Sequence, residues 1–234
     1  QGMSMKSKKT VAVIGCSFSK WHNSSVKNWP QYFSGLAPQC NVYNFSQYIN
    51  SNSLQYLQAR HILENKNYNV LILQWTTFGR ITFLKQEEKM LETLLHKRLE
   101  KKEQNYYEYP DCNYYGFDDF GVMHINPGSI DRVSKKYRNV VEKMWTEAVG
   151  TNGFGSGELR EAMQHHIQHL AKKNNKALLQ FQWLDDTSQD QEVDFIVDNV
   201  YPLKEYSIDE GFHFGNKGNI LLSEYINKKV SPLL

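Results

Sequence analysis

The chain has 234 residues, with 27 Lys plus Arg against 25 Asp plus Glu and a formal net charge of +2 at pH 7. That length holds one sizeable hydrophobic core and would cramp two, and so even a charge balance lacks the basic face by which nucleic-acid binders hold phosphates. Three cysteines without CxxC spacing, Cys16, Cys40 and Cys112, predict neither a disulfide framework nor a zinc site, so a reducing, cytoplasmic setting with no metal and no cofactor is expected.

Residues 1–9, "QGMSMKSKK", carry Gln-Gly ahead of Met3. They read as an appended remnant on a disordered N-terminus without the apolar core of a signal peptide. No apolar run approaches the roughly 18 residues of a membrane span, so no membrane partner is expected. Residues 10–234 then read as a single α/β domain. "TVAVIG" (10–15) is a continuous apolar run bounded by Gly, as in a strand buried on both faces. "NVYNF" (41–45) is a shorter strand, and "SNSLQYLQARHILEN" a helix with Ser53 as its cap. "NVLILQW" (69–75) is the clearest strand, and a charged amphipathic helix follows with Leu84, Met90, Leu91, Leu94, Leu95 and Leu99 inward.

Residues 104–129, rich in Tyr, Phe, Pro and Gly, show neither helical nor strand period and read as a functional insertion. Two helices are expected near 130–149 and 156–174, a strand over 176–183, and an acidic loop over 185–194. A last helix carries Ile220, Leu221, Tyr225 and Ile226. Strands alternating with helices predict a mainly parallel sheet covered on both sides, a three-layer α/β/α sandwich.

Ligands of such sheets bind beyond the carboxyl ends of the strands. Those ends carry Gly15-Cys16-Ser17-Phe18-Ser19, then Asn44-Phe45-Ser46 and Asn50-Ser51-Asn52, then Gln74-Trp75-Thr76-Thr77 and Arg80. Small hydroxyl and amide side chains gather there. A nucleophilic serine needs a base and donors for the oxyanion. Among eight histidines, His213 stands out in "SIDEGFHFGNKGN", just before the last helix, with Glu210 and Asp209 three and four residues upstream. A carboxylate so placed can fold back and orient the imidazole, and Gly211 eases the bend.

With these motifs on the page, the sequence resembles the SGNH (GDSL-type) hydrolase superfamily. "GCSF" is similar to the family's Gly-Asp-Ser segment after the first strand, with Cys in place of Asp, and the Asp/Glu-His pair precedes the last helix as it does there. The resemblance covers 11–19 and 209–226, the third strand in part, and not 100–175. It implies a flavodoxin-like fold, Ser17 as nucleophile and His213 as general base, with the acid open between Glu210 and Asp209. It implies an oxyanion hole from the Ser17 N–H, a second-block residue aligned with Ile49 or Asn50, and a third-block residue at Thr76. The family's second-block Gly and third-block Asn are both absent. Each lost oxyanion donor costs roughly 3–4 kcal/mol of transition-state stabilisation, or about 10²–10³ in rate.

The expected activity is that of a serine esterase or deacetylase removing a short acyl group, such as O-acetyl, from a carbohydrate or other small alcohol. Trp75, Arg80, Tyr114 and Tyr115 are the expected substrate contacts, Arg80 holding an anionic part. Acyl transfer would use the same residues. The alternative is a catalytically impaired SGNH-fold domain that binds a glycan or protein. Simpler readings stand beside these: Ser17 as a helix cap, Cys16 as a small buried hydrophobe, and His165, His166 and His169 as a solvated helix face, since no HExxH pattern joins them.

Overall fold

The first strand, β1 (Lys9–Ile14), is fully buried from Val11 onward and lies at the centre of a six-stranded sheet. The computed structural model describes residues 8–65, 67–76, 80–84, 105–109, 122–125, 127–144, 157–184 and 193–234. The other sheet strands are β2 (Cys40–Asn44), β3 (Val70–Trp75), β5 (Tyr106–Glu108), β7 (Ala177–Gln182) and β8 (Phe195–Ile196). Their order is β5-β2-β1-β3-β7-β8, and every one of these pairings is parallel. A separate antiparallel ribbon joins β4 (Ile81–Leu84) to β6 (Val122–Ile125).

Parallel strands buried on both faces need helices above and below. Val11 and Val13 point into a core shared with α2 (Trp29–Leu36) and α8 (Asn216–Val230), which pack on each other. Ala12 and Ile14 point the other way, into a core shared with α3 (Asn52–Glu64) and α5 (Gly157–Lys173). The result is a three-layer α/β arrangement. Shorter pieces complete it: α1 (Ser17–Lys20), a 3-10 turn (Pro127–Arg132), α4 (Lys135–Met144), α6 (Val197–Val200) and α7 (Leu203–Tyr206). No described helix is long and apolar enough to cross a membrane.

Several expectations need correcting. The cap of α3 is Ser51, whose hydroxyl accepts from Leu54 N at 3.2 Å; Ser53 is the second residue of the helix. Leu84, expected on a helix, ends β4; residues 85–104, the rest of that expected helix, lie outside the described residues. The aromatic stretch also contains strand. Tyr106–Glu108 extends the sheet beside β2, and Tyr107 stacks on its register partner Tyr43 at 4.6 Å. Three residues are too few for an alternating pattern to register, but an aromatic cross-strand pair supplies the pairing energy. Tyr109 is core, 4.2 Å from the Phe45 ring. The short β8, α6 and α7 follow the acidic loop where no element was expected.

Candidate functional site

β1 stops where Gly15 passes Gln74 at close range. A Cβ on Gly15 would sit 2.7 Å from Gln74 Oε1 and 2.7 Å from Ser19 Oγ, so no larger residue fits. Gln74 Oε1 accepts from Cys16 N (3.0 Å) and from Ser19 Oγ (3.1 Å), and Ser19 Oγ accepts from Trp29 Nε1 (3.0 Å). This buried network fixes the turn that starts α1. Cys16 occupies the helix-cap position and Ser17 the first helical residue, with no side-chain capping bond. Ser17 is therefore not the cap that the simpler reading makes of it, and it retains 8% exposure.

His213 arrives from the other end of the chain on the loop between α7 and α8. Its Nδ1 donates to Asp209 Oδ2 at 2.8 Å, and Asp209 Oδ1 accepts from His213 N at 3.0 Å. The carboxylate that meets the imidazole is thus Asp209, while Glu210 is exposed. The ring lies 5.2 Å from Phe18 and 5.4 Å from Trp21, centroid to centroid, the second nearly parallel at 21°. Phe18 in turn stacks on Trp183 at 4.7 Å. His213 therefore rests on the short helix that Ser17 begins, and its Nε2 is buried with no hydrogen-bond partner. With Nδ1 carrying the proton donated to Asp209, Nε2 presents a lone pair, which is the form a general base takes.

The left-handed residue of this loop is Phe212, at φ 60°, rather than the expected Gly211. Gly211 matters for space: a Cβ there would lie 3.0 Å from His213 Nδ1 and Cε1. Gly211→Ala is expected to push the imidazole out of place and lower kcat/KM for a short acyl ester by about 10–100-fold. The melting temperature should stay within about 2 °C; an unchanged rate in steady-state assays would mean that the ring position is immaterial.

The expected oxyanion residues divide. Asn50 is buried with its donors engaged: its backbone N–H bonds Gln47 O (3.3 Å), and Nδ2 reaches Gly15 O and Gln58 Oε1, both at 3.1 Å. Its neighbour Ile49 takes φ 53°, a conformation costly for a β-branched residue and natural for Gly. Thr76 N donates to Asn52 Oδ1 at 2.9 Å, while its hydroxyl is buried near the Cys16 thiol.

Of the expected substrate contacts, Trp75 needs correction: it is 1% exposed, packed in the α3/α5 core, with Nε1 bonded to Gln180 Oε1 at 3.0 Å. As the last residue of β3 it alternates into the helix layer. Arg80 is partly buried beside the strand ends. Tyr114 and Tyr115, like Cys112, lie outside the described residues. Burial raises the Cys16 thiol, but the Arg80 charge and hydrogen bonds from Thr76, Phe18 and Gln74 outweigh it and hold its pKa below the ordinary value. Cys16 is nonetheless fully buried. On α5, His166 bonds Tyr56 and His165 sits 3.7 Å from Glu161. Among the described residues no group of three or more His, Cys, Asp or Glu is placed to hold a metal ion.

Two groups of residues escape a sequence reading. Phe18 and Trp21, which cradle His213, look like ordinary apolar positions of a short helix. His124, fully buried, sits in the aromatic stretch and is opposite Thr82 across the β4–β6 ribbon. The apolar flanks of "VMHI" are the one signal that could have placed it on a strand. Comparison with known protein families found no family model that matches the chain, and comparison with curated proteins found no match.

Proposed function

We propose that the protein is a serine hydrolase of SGNH type that cleaves short acyl esters through an acyl-serine intermediate. The observation that carries this reading is the imidazole of His213, oriented by Asp209, unpartnered at Nε2 and seated against the helix that Ser17 begins. The strand order supports it: without β5 the sheet runs 2-1-3 and then two further strands, the flavodoxin-like arrangement, whose ligands sit where the order reverses about β1. Ser17, directly after β1, stands at that point.

In the proposed reaction Nε2 of His213 takes the Ser17 hydroxyl proton as Oγ attacks the ester carbonyl. Asp209 stabilises the imidazolium that forms without itself taking the proton. The backbone N–H groups of Ser17 and Ile49 and the hydroxyl of Thr76 are the donors we assign to the tetrahedral oxyanion. The imidazolium then protonates the departing alcohol, leaving an acyl-serine that a water activated by Nε2 cleaves.

The direct test is covalent labelling with a fluorophosphonate, read by intact mass and peptide mapping. One adduct per chain at Ser17 is expected, absent in Ser17→Ala. A chain that stays unlabelled and turns over no p-nitrophenyl acetate above the Ser17→Ala background would refute the reading.

A further inference from the structure

The ribbon of β4 and β6 carries a buried cluster of polar groups that the proposed ester cleavage leaves largely unused. Ser51 Oγ donates to Thr82 Oγ1 at 2.8 Å, and Thr82 Oγ1 lies 2.9 Å from His124 Nδ1. Thr82 accepts from Ser51 and keeps its own proton to give; we assign that proton to His124 Nδ1, the tautomer that leaves the ring proton on Nε2. That Nε2 is buried and without a partner, although His124 is fully enclosed. Arg80 stands two residues before Thr82, a spacing that in an extended chain returns side chains to one face. Its Nε and Nη1 are likewise buried and unpartnered.

In that tautomer each unpartnered atom here carries a proton to give: two guanidinium nitrogens and one imidazole N–H. Buried donors left unmatched are costly, about 1–3 kcal/mol each and more when charged. A second cation, Arg160, lies just past the end of β3, where its Nη1 donates to Thr76 O at 3.4 Å. Burial and the Arg80 charge push the His124 pKa down to about 3, so the ring is neutral at physiological pH and acts as a donor without adding positive charge. Cys16, next to Ser17, feels the charge of the same Arg80, which helps to hold its thiol pKa below the ordinary value. What such a set of donors fits is an oxyanion.

We propose that Arg80 and His124 form a subsite for an oxyanion of the substrate, a carboxylate, phosphate or sulfate group outside the reacting ester, so that the hydrolase acts on acidic esters. This rests on the hydrolase reading for the word substrate; the anion site itself does not.

The test is therefore a binding experiment on the full chain with Ser17→Ala, titrated with inorganic phosphate, sulfate or malonate at ionic strength held constant with sodium chloride. Saturable binding of at least one of the three is expected, with Kd unchanged by the loss of the hydroxyl; which one binds distinguishes phosphate, sulfate and carboxylate. Arg80→Gln should weaken that binding at least about tenfold and His124→Gln about threefold or more. A readout that needs no variant at the site is the imidazole ¹H–¹⁵N spectrum: the bound anion should shift the His124 Nε2–H resonance more than any other histidine. Absence of saturable binding, equal binding by Arg80→Gln, or an unmoved His124 resonance would each overturn the subsite. Labelling of Ser17 alongside any of these leaves the hydrolase standing without it; anion binding with an inert Ser17 does the reverse.

Discussion

Replacing His213 with alanine is expected to lower kcat for a short acyl ester by about 10³–10⁴-fold while KM moves by less than about threefold. In the proposed reaction the imidazole acts through one lone pair, at Nε2, which is buried and has no hydrogen-bond partner. Ser17→Ala should cost about as much, and the double variant no more than either, because the two groups act as a unit. The same kinetics distinguish the two carboxylates. Asp209 holds Nδ1 at 2.8 Å and is 37% exposed, so solvent screens part of its field and Asp209→Asn should lose about 10²-fold, less than a fully buried acid would. Glu210→Ala should stay within about twofold. Steady-state assays on p-nitrophenyl acetate decide it; activity surviving in His213→Ala would end the general-base assignment.

Trp29→Ala should destabilise the protein by about 3–5 kcal/mol, the largest effect of any single truncation near the site. The side chain is fully buried at the start of α2, packs edge-on against Phe181 at 5.8 Å, and donates Nε1 to Ser19 Oγ. Truncation opens a cavity between helix and sheet and leaves the Ser19–Gln74 pair without its third member. Trp29→Phe keeps most of the packing and loses only the donor, so it should cost about 1–2 kcal/mol. Urea denaturation measures both, and a loss below about 1 kcal/mol for the alanine variant would mean that the indole is not the wedge its burial indicates.

The central strands and the last helix were legible because their residues carry the period themselves: "VAVIG", "VLILQW" and "NILLSEYINKKV" fall on β1, β3 and α8. What escaped depends on partners distant in sequence. Tyr106–Glu108 is a strand because Tyr43 and Asn44 lie beside it, and no local pattern of three residues announces that. Trp75 looks like a binding aromatic at a strand end, but alternation turns it to Gln180 and the helix layer. At the candidate site, the loop composition around His213 drew attention to residues 209–213 without choosing between Asp209 and Glu210 as the carboxylate that meets the ring. That choice belongs to backbone geometry, a left-handed Phe212 that brings residue 209 under the ring. The polar cluster on the β4–β6 ribbon was invisible for the same reason, since its members converge only when the two strands pair.

Both flanks of the six-stranded sheet end in very short segments, three residues of β5 on one side and two of β8 on the other. Long, apolar, fully enclosed strands such as β1 and β3 would be hazardous if left unpaired, because bare amides recruit the amides of a second copy. Here the sticky middle is shielded by margins too brief to template a growing ladder, so the architecture that carries an apolar centre also discourages fibrils.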